Sequence, residues 1–242
     1  MSLSKTIQPE ATARYFDDFL STLTMSAYVD TNSGSSPPAL SVATAAGCAG
    51  GWLQAPTKAS TNDYRSISLG PCVELLAGGP VFAEARLKIT EAAATSSSWF
   101  FGLVDVLTAG FLQTSGLPPS SYYGAVIYKP RGTNVISFET ANGSTKWSWP
   151  NIGSFVSGQA ILLGLRFDPN ESGPGGASGS PNGSVRGLVN DQSNGPNFQP
   201  LGGRPIQLSG LVPLYLSAGV VASTSAAETM SVDFLALESL RV

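Results

Sequence analysis

The 242-residue chain contains no histidine, and this absence excludes more chemistry than any motif present supports. Without an imidazole base, the His-dependent serine and cysteine triads are ruled out, and so are Cys/His zinc sites. Charge is also scarce. Asp, Glu, Lys and Arg make up 12% of the residues, about half the ~25% usual in globular proteins. The 13 Lys and Arg fall singly along the chain and the net charge is −3, so the sequence predicts no basic patch and no nucleic-acid partner. Two cysteines, Cys48 and Cys72, are too few for a disulfide framework. They are expected as buried free thiols, with a single bridge between neighbouring strands left open. Apolar runs such as AILLGL at 160–165 fall far short of the ~20 residues that cross a bilayer. The opening MSLSKTIQPEATARYF has no apolar core of signal-peptide length. No membrane partner is expected, and synthesis is expected in a cytoplasm. Neither GxxxxGK[ST] nor GxGxxG occurs, so no phosphate-cradling loop and no cofactor are expected.

What the chain does have is punctuation. Its 27 Gly and 17 Pro leave few helix-length windows unbroken. VFAEARLKI at 81–89 alternates, placing Val81, Ala83, Ala85, Leu87 and Ile89 on one face and Phe82, Glu84, Arg86 and Lys88 on the other. WFFGLVDV at 99–106 is apolar on both faces and reads as a central strand. GAVIYK, NVISFET, QAILLGLRFD, SVRGLVND, LVPLYLSAGVV and ETMSVDFLALESL read as further strands, and YFDDFL, GGWLQAPT and DYRSISLG as short ones. Ten to a dozen strands without interleaved helices predict an all-β, two-sheet antiparallel sandwich. One domain is expected over 16–242, preceded by an extended N-terminal arm over 1–15. LTAGFLQTSGLPPSS and the Gly-rich stretch after Asp168 are expected as insertions at the sandwich edge.

Asn142-Gly143 lies between two β-rich runs and predicts a hairpin with a type I′ turn, in which both central residues take positive φ. The return strand carries KWSWP, with Trp147 and Trp149 on one face and Lys146 and Ser148 on the other. Lys and Ser belong in water, so the indoles are assigned to the core face, with Phe138 and Ile136 as cross-hairpin partners. The competing reading is an aromatic platform for a sugar, with Trp147, Trp149, Tyr122 and Tyr123 as candidate glycan contacts.

Glycosidases need two carboxylates about 5 to 10 Å apart. Asp17 and Asp18 are adjacent and so point to opposite faces, Glu84 stands alone, and Asp168 and Glu171 flank a proline. No catalytic residues are assigned, and the chain is expected not to be an enzyme. Asp168, Asn170 and Glu171 faintly suggest a calcium loop, but turn capping is the expected role and no metal site is assigned.

The order FDDFL, GGWLQ, DYRSISL, VFAEARLKI leading into FFGLVDV, LLGLRFD, VRGLVND and a closing TMSVDFLAL resembles the concanavalin A-like jelly rolls. More closely, it resembles those of tailed-bacteriophage virion proteins, over most of residues 16–242. The resemblance implies a jelly-roll sandwich in which Asp105 and Asp233 tie strand ends to loops. It implies a structural role in the virion, as a decoration or cement protein outside a phage head. The expected partners are the major capsid protein or other virion proteins, with a trimer as the expected homo-oligomer. The alternative is a lectin-like, carbohydrate-binding module of a phage tail or host-attachment appendage.

Overall fold

A computed structural model describes residues 12–17, 28–32, 38–44, 51–73, 80–105, 111–168, 182–191, 204–207 and 213–240. The regular elements among them are fifteen strands. One sheet runs β13 (Arg204–Gln207), β12 (Asn182–Asp191), β11 (Ala160–Asp168), β6 (Val81–Thr90), β15 (Thr229–Leu240), β4 (Gly51–Pro56), β3 (Ser41–Thr44). β1 (Thr12–Asp17) pairs with the second half of β15, which makes this sheet eight-stranded. The other sheet has seven strands: β10 (Thr145–Ser154), β9 (Val135–Gly143), β8 (Tyr122–Lys129), β7 (Ser97–Val104), β14 (Leu214–Ala222), β5 (Tyr64–Val73), β2 (Tyr28–Asn32). Every pairing is antiparallel.

Side-chain alternation explains the two layers. In β6 the odd-numbered residues, from Val81 to Ile89, are buried, while Glu84 is exposed and Phe82, Arg86 and Lys88 are half-buried. The buried rows of both sheets meet in one core, where Leu87, Leu163 and Leu235 face Trp99, Ile127, Phe138 and Leu216. Each fully buried aliphatic or Phe side chain contributes roughly 1.5 to 3 kcal/mol. A one-residue slip would turn a whole row into water, so packing enforces the register. β7 is buried along its entire length at the middle of its sheet, as its two-faced apolarity predicts.

Three details differ from the sequence reading. β1 begins at Thr12, pairing Thr12 with Leu240, so the last residues assigned to the arm belong to a sheet. β2, β3 and β13 have four or five residues each, too short for periodicity to reveal them. The stretch expected at the sandwich edge instead lies, in its described part, over the outer face of the seven-stranded sheet. There Phe111 packs against Phe100 and Tyr122, with ring centroids 4.8 and 5.1 Å apart. This creates a second apolar cluster that includes Tyr64, Val104, Leu112, Val126, Tyr128 and Ala141. Cys48, the Gly-rich stretch after Asp168, and the side chains of Cys72, Asp17 and Asp168 lie outside the described residues.

Candidate functional site at the β9–β10 hairpin

The hairpin turn sits one residue later than the Asn-Gly signal suggests. Asn142 pairs with Thr145, leaving Gly143 and Ser144 as the two-residue loop, and only Gly143 of the Asn142-Gly143 pair takes positive φ, at +63°. Glycine in the first central position suits a type II′ turn rather than type I′. The faces are unchanged but the partners are not. Trp149 lies opposite Phe138, and Trp147 lies opposite Thr140.

β10 is the edge strand of its sheet. It tolerates Pro150, which has no N–H to donate, and a bulge between Trp149 and Gly153 where Asn151 takes φ of +66°. Edge position decides how the indoles are covered, because among the described residues no strand pairs with β10 on its outer side. Trp149 stacks on Phe138 at 5.5 Å and packs against the main core, yet it is only half-buried. Trp147 is half-buried as well, and Thr145 on the same side of the strand is exposed. The core assignment therefore holds for one face of Trp149. Both indoles keep surface at the sandwich edge.

On the other side of the hairpin, Lys146 and Ser148 converge on Glu139. The Glu139 carboxylate accepts from Tyr122 Oη at 3.2 Å, Lys146 Nζ at 2.9 Å and Ser148 Oγ at 2.6 Å. Lys146 Nζ also lies 5.3 Å from the Tyr122 ring centre. Burial, then the charge of Glu139, pushes the Tyr128 hydroxyl up to about 12. Burial also holds the Tyr122 hydroxyl well above its ordinary range, again with Glu139 as the second cause. Lys146 is thus drawn out of the water expected for it, by a carboxylate that the sequence reading passed over. The available signal was a glutamate in a β-rich run, set across a turn from a lysine.

The four candidate glycan contacts do not form one surface. Tyr122 is 1% exposed on the outer face. Tyr123, its chain neighbour, turns the other way and packs half-buried against the main core. Trp147 and Trp149 lie side by side on β10, and they are the members of the set that strand geometry brings together.

A second polar cluster closes one end of the sandwich. Lys129 Nζ donates to Glu91 Oε1 at 2.8 Å and to the Ser97 carbonyl at 2.6 Å. Glu91 also accepts from the Ser97 hydroxyl and from the Ser97 and Thr95 amides. Glu228 accepts from Ser96 Oγ and from the Ala92 amide. Burial lowers the Lys129 pKa, against the pull of Glu91. These carboxylates fasten turns to strands. Asp105, just past β7, does the same by accepting the Tyr123 amide, whereas Asp233, expected to tie a strand end to a loop, lies at the bulge inside β15 and links two strands by accepting Arg86 Nη1 of β6 at 3.0 Å.

No protein-family model matches the chain, and no curated protein matches it. Solved structures match over nearly its whole length. Peanut lectin shares 10% identity over 96% of this chain and 99% of its own, with a TM-score of 0.57. The carbohydrate recognition domain of Emp46p, potassium-bound, shares 11% over 91% and 94%, at 0.54. The conserved carbohydrate esterase of Shiga toxin-encoding bacteriophage phi24B shares 16% over 90% and 92%, at 0.50. At such identities the likeness shows the fold, a concanavalin A-like sandwich of legume-lectin type.

Proposed function

We propose that this protein is a non-enzymatic carbohydrate-binding module built on the concanavalin A-like sandwich, and that it serves a phage tail or host-attachment appendage. Lectins and a carbohydrate recognition domain dominate its structural neighbours, and a bacteriophage carbohydrate esterase stands among them. The capsid-decoration role draws no such support. Fold alone does not choose a function. The observation that carries the proposal is the Trp147–Trp149 pair, half-exposed on an edge strand.

An indole accepts the apolar C–H face of a sugar ring, while neighbouring polar groups take its hydroxyls. Thr145 lies on the same side of β10, and Asn151 is exposed at the bulge. Trp149 is committed to Phe138, which leaves Trp147 to supply most of the free indole surface. A single shallow contact of this kind is weak, so a homo-oligomer presenting several copies would supply avidity. The engagement of Glu91, Glu139 and Glu228 as hydrogen-bond acceptors for structural donors supports the non-enzymatic reading.

Glycan-array binding by the wild-type protein and by Trp147→Ala tests the proposal, with thermal melts as a folding control. The expected result is at least a ten-fold loss of binding at nearly unchanged melting temperature. Equal binding by the variant, or no glycan bound by the wild type, would overturn the reading.

A further inference from the structure

The sandwich gathers cations that the sequence scatters. β12, β11 and β6 are neighbours, and Arg186, Arg166, Arg86 and Lys88 project from their common outer face. At one corner, two of these cations share a single ring. Arg86 Cζ lies 5.5 Å and Lys88 Nζ 5.8 Å from the centre of the Trp52 indole on β4. They reach it across β15, whose bulge between Val232 and Phe234 puts Asp233 beside Arg86.

Glu84 stands two residues from Arg86 on the same face, yet among the described residues no carboxylate pairs with Lys88. Asp233 is bound to Arg86 Nη1, and Lys88 carries a second positive charge over the same ring. Two like charges held against one indole repel one another, and attraction to the ring contributes only about 0.5 to 2 kcal/mol. Trp52 itself is 5% exposed, and its Nε1–H is buried with no acceptor among the described residues. That donor is sealed from solvent, so an anion at this corner would be held by the two cations, with the indole ring as their platform.

We infer that Trp52, Arg86 and Lys88 form an anion subsite for the carboxylate group of an acidic saccharide. This rests on the carbohydrate-binding reading and names the ligand class. The anion would neutralise Lys88 and the outward donors of Arg86. The side chain of Arg86 is 37% exposed and so reachable from solvent. Binding would weaken with added salt, because the subsite is only partly buried.

Indole N–H signals in 1H–15N NMR test the inference, with glucuronate, inorganic sulfate and glucose as probes. Lys88→Met is the informative variant, since it keeps the apolar stem over Trp52 and leaves the Arg86–Asp233 pair intact. Glucuronate should shift one indole signal saturably, and sulfate should shift the same one while glucose leaves it in place. Lys88→Met should weaken this response at least five-fold, and Trp147→Ala should leave it unchanged. A response to sulfate alone, an equal response to glucose, or a response that survives Lys88→Met would each overturn the subsite. So would the absence of any shift, and glycan binding through Trp147 would stand independently of that result.

Discussion

Two lysine–glutamate pairs of almost equal length differ entirely in setting. Lys129 and Glu91 meet at 2.8 Å with side-chain exposures of 0% and 2%, whereas Lys146 and Glu139 meet at 2.9 Å with 23% and 7%. The first pair is sealed under Phe155, whose ring centre is 5.3 Å from Lys129 Nζ, and Ser97 satisfies both partners. The second sits on an edge strand, where its lysine can retreat into water. Separation alone therefore says little. The cost of losing a partner depends on whether the remaining charge can be rehydrated.

The largest effect should come from the sealed pair. Lys129→Ala strands the Glu91 carboxylate and is expected to cost about 3 to 5 kcal/mol in denaturant unfolding, while the double variant Lys129→Met, Glu91→Leu should recover most of that loss. A single variant as stable as wild type would show that water reaches this end of the sandwich. Next in size is Trp149→Ala, which removes the Phe138 stack and part of the core. It should cost about 2 to 3 kcal/mol, less than a fully buried tryptophan because half its surface is already wet.

Alkaline pH should separate the two clusters by sign. Tyr128, raised to about 12, holds its proton in the folded state beyond the unfolded value near 10. Its contribution is complete below pH 10 and is lost as pH climbs toward 12, by about 2 kcal/mol at ~1.4 kcal/mol per pH unit. Lys129, lowered by burial, sheds its proton earlier when folded, so its contribution rises as pH approaches the unfolded value of 10.5. Tyr128→Phe should flatten the alkaline loss in a series of melts, and Lys129→Met should steepen it. The smallest effect belongs to Lys146→Ala, at about 1 kcal/mol or less. A loss as large as that of Lys129→Ala would end the contrast between the pairs.

Much of the fold was legible in the chain. The alternation in VFAEARLKI assigned each residue of β6 to its face, and the two-sided apolarity of WFFGLV marked the central strand. The hairpin itself was legible from Asn142-Gly143, but its turn type was not. An Asn-Gly pair and a Gly-Ser pair both offer positive φ at glycine, and the packing of Trp149 on Phe138 accompanies the choice between them. The candidate site was half legible. Trp147 and Trp149 were identified on one face, but their exposure depends on β10 lying at an edge, a property of strand order.

Histidine's absence, the scarcity of charge and the period-2 alternation are properties of the chain itself. They determined an all-β sandwich and removed whole classes of catalysis, because a side chain's face depends only on residues two positions away. Tertiary structure alone decided that Lys129 meets a glutamate 38 positions earlier, that Tyr122 and Tyr123 part company, and that Arg86 and Lys88 share the ring of Trp52. Such meetings depend on which strand lies beside which and in what register. That is settled by the burial of both sheets against one another, beyond the reach of any local pattern.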